Sequence, residues 1–336
     1  MDLELSDEQK WLSEAVETLL SREAEDGRLW ARLVEFGVLT VGGDERLGAV
    51  ELCLIARALG AHLAPVPYIG SAAVRFAAPH LAEALGEDAV ALAVLEPGAS
   101  WGAAPACTLA HTITGRKVAV EHAQSVARLA VVAAAEHGPV LAVIDATAVS
   151  SVAQPAFDPT APMYAVELDG AAVVAGPFGG GAIRRMTTMG TLLAAAEAVG
   201  AAGRMLDDAR RYAAERRQFG RTIGSFQALR HLLADMYVRQ ASSWSSVLYA
   251  AAAVDEDADE APRTVSIAKA YVSRSAREVA HGAMQVFGGI AVTAEHPAHR
   301  FLRRIVVRER QFGDAAHHER ELGRALAEAA ELEPVS

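Results

Sequence analysis

The sequence predicts an α+β chain in three parts: helices, then a small domain of short strands, then a helical bundle. Three observations predict it. Up to about residue 88, apolar residues recur at three-and-four spacing; from about 90 to 174, short β-branched runs are punctuated by Gly, Pro and Asp; from about 183 onward, long three-and-four periods return. The domains read from this are 1–88, 89–178 and 179–336. The 336 residues suffice for two or three layers around a large core.

In the first part, Ser6 followed by Gln9 forms a capping-box pattern, and Leu12, Val16, Leu19 and Leu20 supply a stripe to bury. A second periodic stretch, about 52–63, ends near Pro65 and Pro67. The middle part has candidate strands at about 90–95, 108–114, 117–120, 129–133, 140–144 and 164–168, as in a small antiparallel barrel or sandwich. The glycine-rich run at 176–181 lacks the Lys-Ser/Thr and the strand–helix surroundings of a phosphate cradle, so it reads as a hinge. Helices are then expected over about 183–217, 226–253, 262–287, 297–311 and 314–332, three long and two short, which is a bundle. Leu192, Ala196, Val199, Gly203 and Leu206 mark the buried face of the first; Leu229, Leu232, Leu233 and Met236 mark that of the second, with Ser225 as its N-cap. The acidic stretch 255–261 reads as a solvated connection.

Composition excludes several functions. A formal net charge of −11 argues against a nucleic-acid partner. No apolar run approaches the roughly 20 residues that span a bilayer. The first residues, MDLELSDEQK, are acidic and lack the apolar core of a secretory signal. Cys53 and Cys107 have no metal-type spacing, and His317, His318 and Glu319 are adjacent on a helix and so face different ways. No metal site is expected, and a reduced, cytoplasmic setting is.

The most informative stretch is 212–236, YAAERRQFGRTIGSFQALRHLLADM. Arg216, Gln218 and Phe219 stand just before Gly220: a fork of donors, an amide and a ring. Guanidinium pairs with phosphate oxygens, while ring and amide suit an adenine. The same residues also fit a helix C-terminus with a solvated arginine and an aromatic plug. Tyr212, Ala213, Arg216, Gln218, Phe219, Gly220, Phe226, Gln227, Leu233, Ala234, Asp235 and Met236 fall in register with a pattern of the acyl-CoA dehydrogenase family, which the stretch resembles. A second block, Gln285-Val286-Phe287-Gly288-Gly289, resembles that family's Gln-x-x-Gly-Gly loop.

The resemblance implies the family's fold: an N-terminal helical domain, a middle antiparallel β domain and a C-terminal helical bundle. It also implies FAD, an acyl-CoA substrate and an electron-transferring flavoprotein as acceptor. A family member removes a proton beside the thioester with a glutamate while a hydride goes to flavin N5. Here the segment similar to the family's Ile-Tyr-Glu-Gly-Thr is Arg310-Gln311-Phe312-Gly313-Asp314, with Phe312 in the glutamate's place. The alternative position, on the long helix, holds Gly190. No catalytic residue is therefore assigned. Asp314 reads as an N-cap and Glu309 as a surface pair within Arg308-Glu309-Arg310.

Other motifs have also departed from the family's pattern. Leu95-Glu96-Pro97-Gly98-Ala99-Ser100 stands for its Thr-Glu-Pro-x-x-Gly-Ser, and Ala119-Val120-Glu121 for its Trp-x-Thr flavin platform. Only a shortened turn at 41–48 remains near the acyl pocket. The elements that family dimers extend toward the neighbour's FAD are kept. By resemblance, Arg216, Gln218 and Phe219 serve the pyrophosphate and adenine end, Gly288 and Gly289 approach the phosphates, Gln285 bonds nearby, and Gln227 is a further cofactor-binding residue. The implied function is a base-lacking subunit that shares FAD across an interface with a related subunit, in an α2β2 assembly of the kind bacteria use on bulky acyl-CoA. The alternatives are a self-sufficient homo-oligomer with a relocated base, a flavin monooxygenase relative, and a flavin-free scaffold.

Overall fold

The computed structural model describes residues 4–23, 28–40 and 47–332. The shortened turn at 41–48 therefore lies outside the described residues, except for its last two. Along the chain run α1 (Asp7–Glu23), α2 (Leu29–Phe36), α3 (Ala49–Ala61), α4 (Tyr68–Ala77) and α5 (Ala82–Leu85). Seven strands follow: β1 (Val90–Ala93), β2 (Thr108–Leu109), β3 (Thr112–Glu121), β4 (Arg128–Ala135), β5 (Gly138–Asp145), β6 (Ser150–Gln154) and β7 (Met163–Phe178). Then come α6 (Gly180–Glu215), the short strands β8 (Arg217–Gln218) and β9 (Arg221–Thr222), α7 (Gln227–Asp255), α8 (Ala261–Phe287), α9 (Ala298–Arg310) and α10 (Ala315–Leu332). Contacts divide the chain into two units. One holds Met1–Arg22, Ala49–Ala64 and Thr191–Ser336, and the other Glu23–Gly48 and Pro65–Gly190. Among the described residues, no helix is long and apolar enough to cross a membrane.

The strand-bearing unit closes on itself. β4 pairs in parallel with β1 and β2, while β2–β3, β3–β7, β7–β5 and β5–β4 are antiparallel, so the last pairing completes a ring. Closure removes the edges that an open sheet would expose. Ala91, Ala93, Ile113, Val120, Leu129, Val131, Ala142, Ile144 and Val166 share its core. The candidate strand at 108–114 is instead a hairpin, with Thr108 opposite Thr114 and Leu109 opposite Ile113. The polar strand β6, which pairs with β7, carried no period strong enough to announce it. The expected hinge at 176–181 is also corrected. Phe178 pairs with Leu141, through the cis peptide Gly176–Pro177, and only Gly179 separates the strand from α6.

In the helical unit, α1 opens on the anticipated capping box. The Ser6 amide donates to Gln9 Oε1 at 2.9 Å, and the Gln9 amide to Ser6 Oγ at 3.2 Å. The acidic connection is not merely solvated: Asp255 accepts from the amides of Ala49 (2.6 Å) and Val50 (3.1 Å) and so caps α3. α7 and α8 form a hairpin in close contact, since a Cβ at Gly282 would stand 2.7 Å from Met236 Sδ. α9 and α10 pack on α8. The buried Glu197 of α6 accepts from Arg304 Nη1 at 2.5 Å, with Arg308 Nε at 3.0 Å, tying α9 to α6.

Candidate functional site

The last turn of α6 carries Tyr212, whose ring meets that of Phe287, the last residue of α8, at 5.5 Å and 70°. This edge-to-face contact ties together the roots of the two informative segments. Beyond α6 the chain forms a two-residue ladder, Arg217 opposite Thr222 and Gln218 opposite Arg221. It reverses at Phe219 (φ 51) and Gly220 (φ 79), the paired positive φ of a tight hairpin turn. The Ile223 amide donates to the Arg216 carbonyl at 2.8 Å and closes the base of the hairpin. Arg221 lies 4.1 Å over the Phe226 ring. Ser225 is not the N-cap of α7; its hydroxyl donates to the Thr222 carbonyl at 2.6 Å, and Phe226 precedes the helix.

At the end of α8, Gly288 has φ 66 and ψ −144, a conformation that residues with a side chain avoid. A Cβ on Gly288 or Gly289 would meet nothing within 4 Å, so this backbone faces open space. Gln285 is exposed in the preceding turn, and Gln227 is exposed at the start of α7. Because α7 and α8 run as a hairpin, the start of one lies at the end of the other. Arg216, Gln218, Phe219, Gln227, Gln285, Gly288 and Gly289 thus gather at one end of the helical unit, and all are exposed. Phe219 is 91% exposed, an extreme value for an aromatic residue. An exposed guanidinium, three amides, a ring and an uncovered glycine backbone could hold the phosphate and adenine half of a dinucleotide.

The two positions at which the resemblance expects a base look different. Gly190 is buried within α6. Phe312 lies between α9 and α10, 4% exposed at φ 60, followed by Gly313 at φ 95. Its carbonyl is 3.0 Å from His318 Nε2, while Ser266 Oγ is 3.2 Å from His318 Nδ1. The carbonyl can only accept, so His318 carries its proton on Nε2 and takes the Ser266 hydroxyl on Nδ1. Lys269, buried in α8, donates to the Arg308 carbonyl. Burial, with help from the Lys269 and His317 charges, pushes His318 down to about 4. Burial and the Arg308 charge bring Lys269 down to about 7.

Glu309 and Asp314 line an open groove of about 320 Å³ with Arg274, Arg277 and Glu278. Glu309 is not a surface pair within its own helix. It is buried, and Arg277 of α8 grips both its oxygens, with Nε to Oε2 at 2.8 Å. Asp314 is the N-cap of α10, accepting from the His317 amide at 2.9 Å, and that bond holds its carboxyl below the usual range. Lys269 was missed by sequence reasoning, and His318 was weighed only as a metal ligand and set aside. A signal existed for the lysine: it falls on the face defined by Val265, Val272 and Ala276, at helical spacing.

In the strand-bearing unit, Glu96 serves the fold. It accepts from the amides of Ala106 (2.6 Å) and Cys107 (2.8 Å) and from Lys117 Nζ (2.7 Å), closing the neck of the β1–β2 connection. Ala119 is exposed at φ 52, its amide donating to Gln154 Oε1 at 2.8 Å, and Glu121 is largely buried, 3.6 Å from His122.

Residues 179–327 match the family described as acyl-CoA dehydrogenase, C-terminal domain. Over 342 residues the chain is 30% identical to acyl-CoA dehydrogenase FadE27 of Mycobacterium tuberculosis, covering 90% of this chain and 89% of that protein. Among solved structures it is similar to the ChsE4-ChsE5 complex of Mycobacterium tuberculosis, with TM-score 0.86 and 27% identity over 98% of this chain and 99% of that one. It is also similar to the steroid ACAD Tcur3481-Tcur3483, with TM-score 0.88 and 26% identity over 97% and 99%. With this fold and these motifs, the chain belongs to the acyl-CoA dehydrogenase family.

Proposed function

We propose that this chain is the base-lacking subunit of a heteromeric, FAD-dependent acyl-CoA dehydrogenase that introduces an α,β double bond into an acyl-CoA. One observation carries the proposal. Seven residues suited to a dinucleotide share one exposed end of the helical unit, while the two positions that the resemblance sets against the family's glutamate hold a buried Phe312 and a helical Gly190. A relocated base finds no support, because Glu309 is gripped by Arg277 and Asp314 is held as a helix cap. Likeness to two solved two-protein complexes supports a related subunit as partner.

In this reading, Arg216 pairs with the pyrophosphate, Phe219 and Gln218 contact the adenine end, and Gln227 and Gln285 hydrogen-bond beside them. Gly288 and Gly289 let the backbone approach the phosphates. FAD held there would supply the hydride acceptor, and a glutamate of the partner would supply the base. The assembly is α2β2, a bulky acyl-CoA such as a steroid thioester is the substrate, an electron-transferring flavoprotein is the acceptor, and the setting is cytoplasmic. The division into domains at 1–88, 89–178 and 179–336 belongs to the same proposal.

The experiment expresses the chain alone and together with a related subunit, and measures flavin per chain and substrate-dependent flavin bleaching. Flavin retained only by the co-expressed pair is expected. A stoichiometrically yellow homo-oligomer of this chain that is bleached by acyl-CoA would overturn the proposal.

A further inference from the structure

The turn after α9 combines strain with support from beneath. Phe312 is a bulky, buried residue in the left-handed region, and such backbone persists only where the surroundings over-determine it. The support comes from two buried side chains on two helices: Lys269 holds the Arg308 carbonyl before the turn, and His318 holds the Phe312 carbonyl within it. Gly313 leaves no slack, since a Cβ there would stand 2.4 Å from the His317 ring. We propose that residues 311–314 form a strap, held shut by Lys269 and His318, that loosens as pH falls. The inference stands on this chain alone and does not depend on reading Phe312 as the replacement for a base.

The sign follows from what opening exposes. Lys269 stands at about 7 in the closed strap against 10.5 in water, so opening takes up a proton between those values. Opening therefore becomes about tenfold easier for each pH unit lost within that window, then levels off below it. His318, at about 4 against 6.5, adds a second window on the acid side. The charges acting on Lys269 come from Arg308 and Glu309 of α9 and from Asp314; those acting on His318 come from Lys269, His317 and Asp314. Of these, Glu309 is already matched by Arg277. On the α7 side of α8, the charged pair is Arg239 with Glu278.

The test is amide hydrogen exchange on the full chain between pH 7 and 8.5, read as protection factors. The reporters are the amides of Gln311, bonded to the Val307 carbonyl, and His317, bonded to Asp314; Ile305 within α9 is the reference. Their protection relative to Ile305 is expected to fall about tenfold per unit of pH decrease. Lys269→Met is expected to abolish that slope, and His318→Gln to lower protection at every pH without moving Ile305. Reporter protection that tracks Ile305 at all pH values, or a slope that survives in Lys269→Met, overturns the proposal. The wild-type slope decides the matter should the methionine variant not fold.

Discussion

Gly60 of α3 and Glu197 of α6 meet backbone to backbone: a Cβ on Gly60 would stand 2.0 Å from the Glu197 carbonyl oxygen. One turn along, a Cβ on Gly200 would stand 1.8 Å from the Arg57 carbonyl oxygen. Two glycines thus let α3 and α6 approach more closely than any side chain permits. Gly60→Ala is expected to separate the helices, disturb the Glu197–Arg304 contact and cost about 3 kcal/mol. Gly323→Ala, exposed in α10 where a Cβ meets nothing, is expected to stabilise by up to about 1 kcal/mol. Thermal unfolding of the two variants measures the contrast; equal effects would contradict the close approach.

The Glu96–Lys117 pair gives a pH prediction in the strand-bearing unit. Burial alone would raise the Glu96 carboxyl, but bonds from Lys117 and the amides of Cys107 and Ala106 outweigh it and hold the group at about 2, against 4.5 when unfolded. A carboxyl depressed in the folded state stabilises above its unfolded pKa and loses that contribution as pH falls toward the folded one. About 3 kcal/mol should therefore disappear between pH 4.5 and 2. Lys117→Met leaves a buried carboxylate without its ion partner and should cost about 3–5 kcal/mol at pH 7. Denaturant unfolding at several pH values checks both; an unchanged acid limb in Glu96→Gln would refute the assignment.

Arg216 tests the shared-flavin reading directly. The residue is exposed, so Arg216→Ala should leave the free energy of unfolding within about 0.5 kcal/mol of the parent. Losing a charged contact to phosphate should weaken FAD in the assembled pair of subunits by about 10- to 100-fold. Flavin absorbance of the purified assembly, titrated with FAD, gives the number. Unchanged affinity would place the pyrophosphate elsewhere.

Much of this could be read from residues alone, and the failures have physical causes. Helix α6 was legible because Leu192, Ala196, Val199 and Leu206 repeat at the helical period on a buried face. In α7 the same period was legible at Leu229, Leu232, Leu233 and Met236, of which only Met236 is buried and the rest are half-buried. The strand β6 was not legible, because Ser150, Val152 and Ala153 face solvent and carry little alternation. Ser225 looked like an N-cap by residue type, but the chain had already spent its hydroxyl on the preceding turn. Glu309 looked like a surface charge by its neighbours Arg308 and Arg310, while its partner is 32 positions away in Arg277. Local spacing cannot show a pairing made by tertiary packing. That the two glutamine-bearing segments share one end depended likewise on Tyr212 and Phe287, which are 75 positions apart and carry no mutual signal in the sequence.

On the proposed reading, placing a carboxylate at position 312 should not make an enzyme of this chain. The Phe312 side chain is buried at a left-handed backbone position, His318 secures the Phe312 carbonyl, and Lys269 secures that of Arg308 before the turn. In Phe312→Glu the new carboxyl would be buried, where its charged form is disfavoured, at a cost of about 3 kcal/mol in stability. The variant is expected to unfold earlier, to bind FAD with its partner as the parent does, and to show no turnover attributable to this subunit. The partner's own glutamate is replaced by glutamine in the same experiment, so that any bleaching of flavin by acyl-CoA must come from position 312. Bleaching in that doubly altered assembly would mean that the turn re-forms with its side chain outward, and that this chain lost its chemistry through one residue rather than through the shape of the whole turn.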